Sequence, residues 1–334
     1  MQQLRRDPVI GRWIIVDYDH MKTIMDYKSQ SVPPRTKGKV CPFCAGFEDK
    51  TPPEILVDRT PGTQANTPGW NLRVIANKFP ALRIEGDINF EGLGLYDQMN
   101  GVGAHEVIIE TPDHERDMAD LTQDEIARIL LAYKHRSIDL RRDKRFKYIL
   151  IFKNHGANAG ASLEHSHSQL IALPIVPKKA NEALHGAEQY YIYKERCVYC
   201  DIIDQEVDQQ ERIVYENHDF VAFCPYVSCA PFETWIIPKK HASNFYQIKE
   251  DQISSCARAL KGVLSKLKKV LTDPPFNFII NTSPIQTEDD LPHYHWYIEI
   301  VPKLTNSAGF EWGTGFYINP TPPEKAAQWL RQAD

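Results

Sequence analysis

The sequence predicts an α+β fold of two tandem copies of one module, each an antiparallel sheet flanked by helices, from an internal duplication. Three observations in this 334-residue chain carry that prediction. Alternating strand-like runs are interleaved with two long amphipathic helical patterns. The order of motifs in the first half returns in the second. The register is also kept, since His114 and His241 stand 127 residues apart and His165 and His293 stand 128 apart. We divide the chain into residues 1–185 and 186–334, with the boundary near 178–196.

Taken in order, residues 12–18 (RWIIVDY) alternate as a strand. A Pro- and Lys-rich loop, 31–40, delivers CPFC at 41–44. Residues 51–70, studded with Pro and Gly, read as irregular. A strand at 72–76 is broken by Asn77-Lys78-Phe79-Pro80, and a strand at 106–110 runs into TPDH, ending at His114. Residues 121–142 form an amphipathic helix with Ile126, Ile129, Leu130 and Tyr133 on one face. Thr122 and Glu125 open it as a capping box. The strand KYILIFK leads into NHGANAGASLEHSHSQ (154–169), and LIALPIVP follows. The second half repeats the series with CVYC at 197–200, a strand at 220–223 and PFETWIIPKKH for AHEVIIETPDH. A helix from Ile248, FNFIIN for YILIFKN, and LPHYHWYIEIVP for LEHSHSQLIALP complete it. The gap from CxxC to the following His is 29 residues longer in the first half, which marks an insertion before His114.

Composition bounds the function. With 42% hydrophobic residues the chain can bury a large core. A formal charge of −5 and a pI of about 6.2 advertise no basic face for nucleic acid. The N-terminus lacks an apolar leader, and no window approaches the roughly 18 apolar residues of a membrane span. Seven cysteines without a secretion signal read as metal or redox thiols rather than disulfides. A soluble cytoplasmic protein is expected.

Each half offers two Cys and two His. The sets are Cys41, Cys44, His114, His165 and Cys197, Cys200, His241, His293, and thiolate with imidazole suits a closed tetrahedral zinc site. A redox dithiol, unligated thiols or core histidines are the alternatives, and one of the two zincs lost is another. The repetition favours zinc, two per chain. Cys224, Cys229 and Cys256 have no such partners and read as small buried residues. In the first half His167 stands two residues beyond His165, on the same strand face. Ser162, Gln169, Gly156 and Gly160 lie beside it, and glycines let backbone approach a ligand closely. Imidazole, hydroxyl and amide groups suit phosphate chemistry, with His167 as nucleophile. Around His295 the Gly-rich loop, Ser and Gln are missing.

These residues carry a resemblance. DPVIGRWIIV, CPFCAG, NLRVIANKFPAL, ETPDH, GASLEHSHSQ, PHYHWYIEI and GFEWGTGFYINP together resemble the galactose-1-phosphate uridylyltransferase family, a branch of the histidine-triad superfamily. The most specific part is G-x-S-x-x-H-x-H-x-Q at Gly160, Ser162, His165, His167 and Gln169. The resemblance implies two histidine-triad-like domains and a nucleotidyl-histidine at His167, formed from a nucleotide sugar and passed to a sugar 1-phosphate or phosphate. Gln169, Ser162 and Asn154 would hold phosphoryl oxygens, Asn77 and Phe79 would lie near the base, and Phe310 and Glu311 near the sugar. It also implies a homodimer.

Two departures bear on the substrate. Ser166 stands between the histidines where the best-known uridylyltransferases have Pro. The second CxxC is present, so Glu182 is not expected to bind metal. Both features resemble the ADP-glucose phosphorylase-like branch. Uridylyl transfer from UDP-glucose is the first expectation and adenylyl transfer the alternative. A histidine-triad hydrolase and a non-catalytic metal module are the other classes. A binding module has no need of Ser162, His167 and Gln169 converging. A hydrolase would not let a nucleotidyl-enzyme survive without acceptor.

Overall fold

The computed structural model describes residues 2–33, 40–285 and 290–333. The middle of the Pro- and Lys-rich loop (34–39) lies outside the described residues. So does part of the segment replacing the Gly-rich loop in the second half (286–289). In chain order the strands are β1 (Gln2–Arg6), β2 (Trp13–Asp17), β3 (Glu54–Arg59), β4 (Trp70–Ala76), β5 (Glu91–Leu93), β6 (Tyr96–Gln98), β7 (Ala104–Ile109), β8 (Tyr148–His155), β9 (His167–Leu173), β10 (Ile213–Glu216), β11 (Phe220–Phe223), β12 (Thr234–Pro238), β13 (Phe276–Asn281), β14 (Tyr297–Pro302) and β15 (Tyr317–Asn319). The helices are α1 (Ile24–Tyr27), α2 (Gln123–Leu140), α3 (Lys178–Lys194), α4 (Val198–Gln209), α5 (Glu250–Leu271), α6 (Gly309–Thr314) and α7 (Pro323–Arg331).

Ten strands form one sheet in the order β10-β11-β12-β14-β13-β8-β9-β7-β4-β3. Read outward from its middle, this is the same five-strand order twice. The antiparallel β8–β13 pair joins the copies, with Phe278 opposite Lys153 and Ile280 opposite Ile151. The two sheets expected from the sequence are thus fused into one.

Alternation decides the faces. Leu72, Val74, Ile108, Ile151 and Leu170 of the first copy share a core with Ala222, Ile236, Phe278, Ile298 and Ile300 of the second. The apolar sides of α2 and α5 belong to the same core, and these are the two helices the sequence predicts. Thr122 accepts from the Glu125 N–H at 3.3 Å, and Glu125 accepts from the Thr122 N–H at 2.7 Å, closing the expected capping box. The opposite face carries both CxxC segments.

Three segments differ from expectation. Residues 51–70 contain β3, an edge strand whose half-buried residues give little alternation. The 178–196 boundary is largely helix α3, whose Ala183, Leu184, Ala187 and Tyr190 pack on the second copy's smaller core. The strand at 12–18 joins β1 and β15 in a separate three-stranded sheet. The insertion before His114 holds the exposed hairpin β5–β6.

One cross-strand row on the open face runs Ile75, Val107, Gln169, Phe152, Ile279, Glu299, Trp235 and Phe223. Reflected through the β8–β13 pair, it matches Gln169 with Glu299, Val107 with Trp235 and Ile75 with Phe223. Two residues before Gln169 and Glu299, His167 matches Tyr297; two further back, His165 matches His295. The pairing read from sequence, His165 with His293 and His167 with His295, is therefore shifted by two in the sheet.

Candidate active site

His167 opens β9 and is 6% exposed. Its Nδ1 lies 2.8 Å from the His165 carbonyl, which fixes the proton on that nitrogen and leaves Nε2 as the free lone pair. Burial first, and then the positive charge of Lys153, hold its pKa below the ordinary value, so the imidazole is neutral. Phe43 meets it edge-on, with ring centroids 5.3 Å apart.

A pocket of about 390 Å³ lies over this ring. Ser162, His167, Gln169, Asn77 and Phe79 all line it, together with Phe43, Lys50, Thr51 and Lys78. Phe79 is 84% exposed, so its ring is available to a ligand rather than to the core. Asn154 and Gly160 do not line the pocket; they shape its loop. The Asn154 amide donates to the Gly160 carbonyl at 3.4 Å, and its Oδ1 accepts from Asn277 at 2.8 Å. Asn277 also donates to the Ala159 carbonyl at 2.8 Å, so the second copy anchors the first copy's loop. Gly156 and Gly160 sit at φ +80° and +89°, and a Cβ at Gly156 would collide with Val32 and Pro275.

Sequence reasoning missed three supporting residues. His105 Nδ1 accepts from the Ala81 N–H at 3.1 Å, so its proton sits on Nε2. That nitrogen lies 2.8 Å from Gln169 Oε1 and donates to it, leaving the Gln169 NH₂ for a ligand. Lys153 and Glu110 form a buried ion pair at 2.7 Å. Lys153 also donates to Ser166 Oγ and the His167 carbonyl, both at 3.0 Å, and Ser166 donates to Glu110 at 2.6 Å. Ser166 is thus a member of the network under His167. The available signal was a charged residue at the end of each of two apolar runs, EVIIE and KYILIFK.

The first Cys/His set converges. Cys41 and Cys44 Sγ lie 3.7 and 3.6 Å from His165 Nδ1, Cys44 Sγ lies 3.3 Å from His114 Nδ1, and the two Nδ1 atoms are 3.3 Å apart. A tetrahedral ion bonded at about 2.3 Å to sulfur and about 2.0 Å to nitrogen separates its ligands by roughly 3.3 Å (N to N) and 3.5 Å (N to S). The set fits zinc. His165 Nε2 lies 2.7 Å from the Thr111 carbonyl, which keeps Nδ1 unprotonated for metal.

In the second set Cys197, Cys200 and His241 converge, and neither the His293 nor the His295 imidazole joins them at that spacing. The His293 carbonyl instead accepts from Cys197 at 3.5 Å. His241 donates through Nε2 to the Leu291 carbonyl at 2.9 Å, leaving Nδ1 3.4 Å from Cys200. Hydrogen bonding, first from Cys200 and also from His241, pulls the Cys197 thiol down to about 5. His295 faces His241 with centroids 5.3 Å apart, as His165 faces His114 at 5.2 Å. Its Nε2 is buried and, among the described residues, has no hydrogen-bond partner, the kind of acceptor a metal satisfies. Glu182 lies on α3, 3.7 Å from Lys178 and outside both sets.

Neither Phe310 nor Glu311 lines the His167 pocket. Glu311 borders another cavity, of about 220 Å³, with Arg12, Lys179, Glu233 and Glu299.

A duplicated sheet holding Cys/His clusters, with one neutral imidazole opening on a pocket, defines a nucleotidyltransferase with two unequal copies. The chain belongs to the galactose-1-phosphate uridyl transferase family, whose N-terminal domain model matches residues 1–177 and whose C-terminal domain model matches residues 183–331. Over 99% of this chain and 92% of the relative it is 40% identical to an ADP-glucose phosphorylase of Arabidopsis thaliana. It is 28% identical to a galactose-1-phosphate uridylyltransferase of Thermotoga maritima, over 100% and 99% of the two chains. A crystal structure of an Arabidopsis thaliana ADP-glucose phosphorylase with bound ADP-glucose superposes with a TM-score of 0.83, at 37% identity and full coverage of both chains.

Proposed function

We propose that the chain exchanges a nucleoside monophosphate between a nucleotide sugar and a phosphate-bearing acceptor through a covalent intermediate on His167. The observation that carries this reading is the His167 ring, neutral, oriented by the His165 carbonyl and opening on the pocket. Nε2 attacks the α-phosphorus; the P–N bond forms as the bond to the leaving sugar 1-phosphate breaks, and that phosphate takes the electron pair. An oxygen of the acceptor phosphate then attacks, the P–N bond breaks and the imidazole is regenerated. The Gln169 NH₂ and the Ser162 hydroxyl donate to the phosphoryl oxygens as charge shifts.

Zinc is the metal the Cys/His chemistry favours, two per chain. Cys41, Cys44, His114 and His165 hold one; Cys197, Cys200 and His241, with His295 in place of His293, hold the other. When bound it ties the CxxC segment to the turn that leads into β9 and so keeps the His165 carbonyl that orients His167.

For the nucleotide, the greater similarity to the ADP-glucose phosphorylase, 40% against 28%, makes ADP-glucose with phosphate the first pair to test. UDP-glucose with galactose 1-phosphate is the second reading, supported by the family models. A homodimer, in which a partner copy brings Phe310 and Glu311 to the His167 pocket, fits their absence from that pocket's lining within one chain. Cysteines that form no disulfide among the described residues suit a reducing cytoplasm, and no described helix is long and apolar enough to cross a membrane.

Incubation with donor alone should release sugar 1-phosphate and leave one acid-labile, base-stable nucleotide on His167. His167→Ala should keep fold and metal and lose at least about 10³-fold in exchange, as expected for removal of a covalent nucleophile. Label on another residue, or full exchange in His167→Ala, would overturn the assignment. Immediate loss of the label to water would make the enzyme a hydrolase.

A further inference from the structure

The reflection of the sheet gives the catalytic pocket a counterpart in the second copy. Ile75 and Val107 at the floor of the first match Phe223 and Trp235, and Asn77–Phe79 at its rim then match residues 225–227. The CxxC segment that walls the first pocket matches the start of α4. These counterparts surround a separate cavity of about 280 Å³, with Phe223, Tyr226 and Trp235 against one side and Ile202 of α4 against the other. The cavity therefore occupies, in the second copy, the place that the base-binding end of the pocket occupies in the first.

Its chemistry differs in one respect. The position of His167 is taken by Tyr297, whose ring is stacked under Trp235 with centroids 4.4 Å apart. The position of Gln169 is taken by Glu299, which faces the neighbouring cavity and pairs with Lys179 at 3.2 Å. Among the described residues no His, Ser or Cys lines this second cavity. The acidic groups in its wall are already engaged. Asp201 accepts from Tyr190 at 2.6 Å and from Arg196 at 2.7 Å, Glu206 pairs with Arg212 at 3.0 Å, and Asp7 accepts from the Val9 N–H at 2.8 Å. At the mouth Arg6 is exposed and, among the described residues, has no ion pair. The cavity's volume is near the low end of small-molecule sites, roughly 300 Å³.

We infer that this cavity is a second, non-catalytic nucleotide site. It takes the base of a nucleoside monophosphate against the half-buried Trp235 ring, with the phosphate at Arg6. The inference rests on the reading of the His167 pocket as a nucleotide site, because it is that pocket's duplicate.

Equilibrium dialysis of zinc-loaded full-length protein against radiolabelled AMP and UMP tests it. Wild type should bind two nucleotides per chain. Gln205→Trp, which fills the second cavity from the exposed side of α4, should bind one, as should Ser162→Trp, which fills the first. Should Gln205→Trp fail to fold, Arg6→Glu should weaken one of the two sites at least tenfold and quench less Trp235 fluorescence at saturation. A single nucleotide that survives Gln205→Trp and is lost in Ser162→Trp overturns the second site and leaves the His167 reading standing. A single nucleotide with the opposite pattern supports the second site and removes the first. No binding of either nucleotide overturns both.

Discussion

His165 and His167 are two residues apart and do different work because each ring has one nitrogen already committed. His165 gives Nε2 to the Thr111 carbonyl and points Nδ1 at the thiols. His167 gives Nδ1 to the His165 carbonyl and turns Nε2 to the pocket. The motif spacing made the two histidines legible in the sequence; the partners that set their tautomers are backbone carbonyls and were not. His105 was invisible for a related reason, since its role depends on a cross-strand neighbour 64 residues away. His105→Ala should leave the fold intact and lower kcat by about 10²-fold with little change in KM, as expected for a misplaced positioning group. Steady-state kinetics check it, and rescue by His105→Gln, which can still donate to Gln169, separates orientation from bulk. An unchanged kcat would show that Gln169 needs no support.

At the scale of elements, long periodic segments were legible and edges were not. Helices α2 and α5 follow directly from their apolar spacing, whereas β3 hides behind Pro52 and Pro53 at the sheet's edge. Under β9, Lys153, Glu110 and Ser166 form a polar network on buried strands, and a buried pair is strongly destabilising when only one partner is removed. Lys153→Met should therefore cost about 3–5 kcal/mol in a urea unfolding series. Adding Glu110→Leu should return part of that loss, because no uncompensated charge remains. Equal stability of the single and double variants would mean that the charge on Glu110 is not what the lysine serves.

For the whole molecule, the duplication could be read from motif order, and its register could not. Sequence comparison aligned the two HxH motifs with each other, but hydrogen-bond pairing sets His295 against His165 and Tyr297 against His167. Metal content discriminates between the alignments. Elemental analysis of purified protein should find close to two zinc ions per chain; His295→Ala should lower this to one and His293→Ala should leave two. The reverse result would restore the alignment read from sequence. Chelation should lower the unfolding temperature, since closed Cys/His sites contribute folding energy directly.

The β8–β13 pair has a consequence for any attempt to separate the copies. Each half, isolated, would present β8 or β13 as a new edge strand, with the N–H and C=O groups of that one edge unpaired, which is a template for edge-to-edge association. A fragment ending near residue 177 would also lose Asn277 and with it the anchor of its own Gly-rich loop. The copy without a counterpart of His167 is thus a built-in chaperone for the copy that has it, and an active half-length enzyme should not be obtainable by truncation.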